Sequence, residues 1–183
     1  MTTPTPGQTV GPFFHYGLAY AGDNDLVPPG STGAVELSGR VLDGAGNGLQ
    51  DALVEIWQAG PDGRPPRQQG SLRRDGWTFT GFGRTATSRD GRYVFSTLLP
   101  GPTRPGSASF IAVTVFARGL LDRLFTRAYL PDDAAALDGD PLLSTLPAER
   151  RRTLIATRGE RGYVFDIRLQ GADETVFLDF AAR

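Results

Sequence analysis

The chain has 183 residues, enough for one domain with a full core and few for two. Its 19 basic and 20 acidic residues nearly cancel, which excludes a global electrostatic pull toward nucleic acid or an anionic membrane. The absence of cysteine excludes disulfides and thiolate metal sites, while 24 Gly and 14 Pro with only short apolar runs point to a turn-rich all-β chain.

The first residues, Met1-Thr2-Thr3-Pro4-Thr5-Pro6-Gly7, lack the basic start and apolar stretch of a secretory signal, and no later run reaches transmembrane length. A soluble cytoplasmic protein is expected. Gln8 to Phe14 then places apolar bulk beside a stiff Gly11-Pro12 pair, which reads either as an arm docking on another chain or as a tail packed on its own domain. His15 is the sole histidine, so packing or hydrogen bonding suits it better than metal ligation.

Residues 1–34 are therefore expected to form an arm and loop, and residues 35–183 a β-sandwich. Val35–Leu42 and Ala52–Gln58 alternate as strands across a glycine-rich loop and suggest an antiparallel pair. In the second strand Glu55 is either a solvent-facing charge or an arginine's partner. From Ala59 to Ser88 breakers dominate, and Trp77, Phe79 and Phe82 suggest a satellite core or a subunit contact.

Gly91–Leu98 is a further strand, stopped by a proline-rich corner from Pro100 to Gly106. Phe110–Phe116 is apolar on both alternating faces and reads as a central strand, closed by Arg118, a cation that needs a carboxylate, an anion or water. After a strand at Thr126–Leu130, short helical turns are expected near Pro141 and Pro147, with a closing hairpin formed by Tyr163–Leu169 and Glu174–Phe180. The overall expectation is an all-β sandwich with long loops and one or two helical turns.

The residues by themselves give little enzymology. With one histidine and no cysteine, neither a Ser/His/Asp arrangement on the strands nor a thiol nucleophile is available, and nothing shows that Glu55, Asp166 and Asp179 converge.

Five pieces in order nevertheless resemble the intradiol ring-cleaving dioxygenases: Gln8-Thr9-Val10-Gly11-Pro12-Phe13-Phe14, Leu53–Ala59, Asp90–Phe95 leading to Pro100-Gly101-Pro102, Phe116-Ala117-Arg118-Gly119, and Phe165–Gly171 with Glu174–Phe177. The resemblance implies a prealbumin-like sandwich and Fe(III) held by two tyrosines and two histidines. The positions matching those ligands are Pro65, Thr103, Phe110 and Ala112, so this chain is expected to hold no iron of its own. The resemblance further implies a hetero-oligomer with a catalytic beta chain that carries the iron and opens protocatechuate with O2. Thr9, Gly11, Pro12 and Arg118 are the residues it assigns to substrate binding over the partner's site. A free-standing prealbumin-like binding module is the alternative, and it gives no role to the Gln8 to Phe14 arm.

Overall fold

A computed structural model of the chain describes residues 9–11, 13–67 and 74–180. Pro12, one of the expected binding residues, lies outside the described residues. Two sheets face each other across the larger of two buried apolar clusters. The first has the order β4-β1-β8-β7, built from β1 (Ala34–Leu42), β4 (Arg92–Leu98), β7 (Thr157–Arg158) and β8 (Gly162–Val164), with β9 (Ile167–Arg168) also pairing with β1. The second has the order β3-β2-β5-β6, from β2 (Leu53–Trp57), β3 (Phe82–Ala86), β5 (Phe110–Phe116) and β6 (Leu124–Tyr129). Leu37, Val41, Phe95 and Phe165 from one side meet Val54, Ile56, Ile111 and Val113 from the other, all buried, which is the layered burial a sandwich requires.

β5 is a central strand, as its composition predicts. Its burial alternates strictly: Ile111, Val113 and Val115 enter the core, while Phe110, Ala112, Thr114 and Phe116 form a half-covered outer face. The outer face, though apolar in sequence, is thus only partly covered.

Three local expectations are corrected. β1 and β2 do not pair with each other. Leu49 N–H bonds the Val41 carbonyl at 2.8 Å, which folds the glycine-rich loop back on β1, and the chain then crosses to the second sheet. The stretch read as irregular contains β3, whose Gly83 lies where any Cβ would come within 2.4 Å of Leu26 and 3.1 Å of Phe95. Glycine here permits close layer packing rather than a break. The closing hairpin is replaced by separate bonds: Thr175 N–H reaches the Arg168 carbonyl at 3.0 Å, whereas Leu178 N–H reaches Phe125 of β6 at 2.7 Å.

Short helical turns fall at Leu143–Thr145 and α3 (Ala148–Arg151), near the two prolines that predicted them. Two more helices, α1 (Phe14–Gly17) and α2 (Ala134–Gly139), carried no periodic signal; α2 starts where Asp133 caps the Ala136 N–H at 2.9 Å. Leu26, within the segment expected to be arm and loop, is 3% exposed in the core, and its N–H bonds Ser96 of β4 at 2.8 Å.

Candidate functional site

β5 ends at Phe116, and a tight turn follows in which Leu120 N–H bonds the Ala117 carbonyl at 3.2 Å. Gly119, at φ 89, occupies the third turn position, where a positive φ favours glycine. Arg118 precedes it at the corner, its side chain half exposed. Thr9 clamps this turn: its Oγ1 accepts the Gly119 N–H at 2.9 Å. Val10 lines a cleft with Phe116, Ala117 and Leu120. Within this chain, Thr9 and Val10 thus lie against the turn after β5.

Asp51 joins the same cluster, and sequence reasoning missed it. It stands just before β2 with φ 64, a left-handed conformation that Asp tolerates better than most residues. One carboxylate oxygen lies 3.5 Å from Arg118 Nη2 and the other 3.3 Å from His15 Nε2. His15 is buried on α1 with its ring 4.0 Å from that of Tyr16, and its Nδ1 is buried with no hydrogen-bond partner among the described residues. That contact with a carboxylate favours the Nε2–H tautomer. The only local signal for Asp51 was an aspartate in a loop immediately ahead of a strand.

The structure thus brings Thr9 and Arg118 together. Gly11 contributes its carbonyl, which accepts Phe14 N–H at 3.3 Å, and nothing lies within 4 Å of where its Cβ would be. No contact within the chain forces a glycine at that point.

The four positions matched to metal ligands lie elsewhere. Phe110 and Ala112 point from the outer face of β5, opposite Tyr129 and Arg127 of β6. Thr103 and Phe110 line one cavity at the start of β5, and Pro65 is exposed beyond the loop that packs on the Pro100–Pro102 corner. The packing of that corner requires glycine at Gly63, where a Cβ would meet the Pro102 carbonyl oxygen at 2.2 Å. These side chains do not fit a ferric ion: proline, phenylalanine and alanine offer no donor atom, and threonine offers one neutral hydroxyl. The Arg127 guanidinium lies 4.2 Å from the Phe110 ring centroid, so a positive charge already stands there. Among the described residues, no group of three or more His, Cys, Asp or Glu side chains is placed to hold a metal.

Arg118 follows Phe110 by eight residues, which along extended chain is on the order of 25 Å. Arg118 therefore lies past the far end of β5 from Phe110.

The aromatic trio divides. Trp77 is 93% exposed, Phe79 packs against the core, and Phe82 lies on the outer face with its ring 6.1 Å from that of Trp57, itself 46% exposed. Between the strands of that face Glu55 meets Arg84 at 2.5 Å with both side chains largely buried, so Glu55 is an arginine's partner and not a solvent charge. No helix among the described residues is long and apolar enough to cross a membrane.

The chain is 43% identical to the protocatechuate 3,4-dioxygenase alpha chain of Burkholderia cepacia over 198 aligned positions, covering 98% of this chain and 100% of the relative. It is 35% identical to the beta chain of the same enzyme from that organism, over 77% of this chain and 66% of the relative. Among solved structures, the dioxygenase domain of a dioxygenase and carbohydrate-binding protein fusion from Streptomyces sp. SirexAA-E matches with a TM-score of 0.56 and 27% identity, covering 93% of this chain and 100% of that one. A dioxygenase family model matches residues 11–171, and with it the chain belongs to the intradiol ring-cleavage dioxygenase family.

Proposed function

We propose that this chain is the alpha subunit of a protocatechuate 3,4-dioxygenase, binds no iron itself, and completes the active site of a catalytic beta subunit that holds Fe(III). That site opens protocatechuate with O2 to 3-carboxy-cis,cis-muconate. Thr9, Gly11, Pro12 and Arg118 are this chain's contribution to substrate binding. The observation that carries the reading is the separation along β5. Arg118 is too far from its own chain's altered ligand positions to act there, yet it is presented at a clamped corner with its side chain half exposed. The similarity to both an alpha and a beta chain of one enzyme supports a hetero-oligomer.

Protocatechuate carries a carboxylate, and a guanidinium meets a carboxylate with two parallel N–H donors that fix orientation as well as charge. Asp51 limits the rotamers of Arg118 through a long contact that leaves most of its donors free for an incoming anion. The open space over Gly11 leaves room for a neighbouring chain or for substrate.

The test is oxygen uptake with protocatechuate by material co-purified with a tag on this chain, beside the chain expressed alone. Activity in the first and none in the second is expected. In the assembly, Arg118→Ala should raise KM for protocatechuate about 10- to 100-fold, the loss of one charge-assisted pair, with iron content unchanged. Loss of iron or of assembly would instead assign Arg118 a structural role. If nothing co-purifies and neither sample consumes oxygen, the chain is a binding module.

A further inference from the structure

Asp51 stands between His15 and Arg118, and a buried threonine holds its backbone from behind. Thr87, just after β3, accepts Ala52 N–H on Oγ1 at 3.0 Å and donates that hydroxyl to the Leu49 carbonyl at 2.7 Å. Its own N–H reaches the Ala52 carbonyl at 2.8 Å. The chain on both sides of Asp51 is thus tied to the second sheet, which fixes where the side chain begins. The carboxylate can still turn about its own bonds. His15 meets it at one oxygen and Arg118 at the other.

Packing alone does not account for an imidazole at position 15. The ring is buried, 4.0 Å from the ring of Tyr16 and edge-on to Phe14 at 5.8 Å, surroundings that a leucine would fill as well. An imidazole there leaves Nδ1 buried with no hydrogen-bond partner among the described residues, a desolvation cost that an apolar side chain avoids. What it adds is Nε2, 3.3 Å from Asp51 Oδ1. Nε2 carries a proton both in the neutral tautomer that faces a carboxylate and in the protonated ring, so the contact is attractive in either charge state.

We infer that His15 is a positioning residue: through Asp51 it orients Arg118 and thereby tightens binding of the substrate's carboxylate. The inference rests on the role proposed above for Arg118. The contacts close a ring. Thr9 holds Gly119, Arg118 beside it reaches Asp51, Asp51 reaches His15, and the chain leads from His15 back through Gly11 to Thr9. Within it, Phe14 N–H bonds the Gly11 carbonyl at 3.3 Å, so α1 couples the arm to the arginine. Among the described residues Asp51 is the carboxylate that pairs with Arg118, whose side chain is otherwise half exposed. Without that restraint the incoming substrate must order the arginine itself, and ordering one long side chain weakens binding about three- to tenfold.

Two measurements on the assembly as purified test this. In crystals of the His15→Leu variant, which keeps the bulk and removes Nε2, Asp51 should turn away and Arg118 should spread over several conformers. His15→Gln, whose amide donates from a similar position, should keep the parent arrangement, and His15→Asn, whose amide falls short of Asp51, should lose it. Unchanged Asp51 and Arg118 in the Leu and Asn variants would overturn the inference. In steady-state oxygen uptake, His15→Leu should raise KM for protocatechuate about three- to tenfold with kcat unchanged, and His15→Gln should restore it. Added to Arg118→Ala, His15→Leu should raise KM no further. An equal rise in that background, or a Gln variant as impaired as Leu, would also overturn it. If Arg118→Ala itself left KM unchanged, the role proposed for Arg118 would fall, and the crystals would still decide whether His15 positions it.

Discussion

The Thr9 hydroxyl and the Gly119 amide, 110 residues apart in the chain, meet at 2.9 Å and tie the N-terminal arm to the turn that presents Arg118. Removing the acceptor while keeping the shape tests what that tie does. Thr9→Val should cost the isolated chain no more than about 1 kcal/mol, because the bond is exposed and water can replace it. In the assembly it should lower kcat/KM for protocatechuate, and Thr9→Ser should restore it. Equal activity in Val and Ser variants would show that the clamp is incidental.

Asp51 separates two effects in one residue. Asn keeps the tolerance for φ 64 but loses the charge, whereas Ala loses both. Asp51→Asn should leave stability within about 1 kcal/mol of the parent, since the contact to half-exposed Arg118 is long and such pairs contribute little. Asp51→Ala should cost about 1 to 2 kcal/mol more through backbone strain. Urea unfolding of the two variants measures the difference, and identical midpoints would contradict the strain argument.

Glu55 and Arg84 form the pair whose disruption should matter most to stability. Arg84 donates through Nε and Nη2 to the same Glu55 oxygen at 2.8 and 2.5 Å and through Nη1 to the Leu18 carbonyl at 3.1 Å. Glu55→Ala leaves a largely buried guanidinium without its counter-charge, at a cost of about 3 kcal/mol. The double variant Glu55→Ala/Arg84→Met should recover part of that loss. A fall in stability equal to the sum of the single changes would rule out coupling.

Three buried tyrosines set an alkaline limit, and burial pushes Tyr93 well above the usual phenol range. Burial pushes Tyr129 and Tyr163 up from 10.0 to about 12, and for Tyr163 the hydrogen bond it donates to Asp132 at 2.6 Å adds to the effect. The native state thus holds protons that the unfolded chain releases. Their contribution is complete below pH 10 and declines as pH rises toward 12, by up to about 2 kcal/mol for each tyrosine. Denaturant midpoints at pH 8, 10 and 11.5 should be flat across the first interval and fall across the second, and Tyr163→Phe should make the fall shallower.

What could be read from the sequence was whatever a local pattern encodes. β5 was legible because Phe110 to Phe116 is strand-forming throughout and ends at a charge, and the turns near Pro141 and Pro147 were legible because proline favours a first helical position. Pairing was not. β1 and β2 look like a hairpin, but only the three-dimensional crossing after Leu49 shows that they belong to different sheets. Glu174–Phe180 alternates like a strand, yet its bonds go to separate partners, which periodicity cannot reveal. In the candidate site, a family resemblance singled out Thr9 and Arg118, and the fold places Thr9 on the turn that carries Arg118. Asp51 was not, because its role depends on a single backbone dihedral and on two neighbours far along the chain.

The neighbours of β1 carry a consequence for biosynthesis. Glu36, Leu37 and Ser38 lie parallel to Gly162, Tyr163 and Val164, so one side of this early strand has no partner until residues more than a hundred positions further on have been made. At ordinary translation speeds the ribosome needs on the order of 10 s to supply that partner. Throughout that interval the nascent chain presents an open strand edge, a template for pairing with other chains. Emergence of β8, rather than of the first strands, is therefore the step at which the first sheet can close, and slow translation between the two or crowded expression should raise the aggregated fraction before any change in the folded protein is seen.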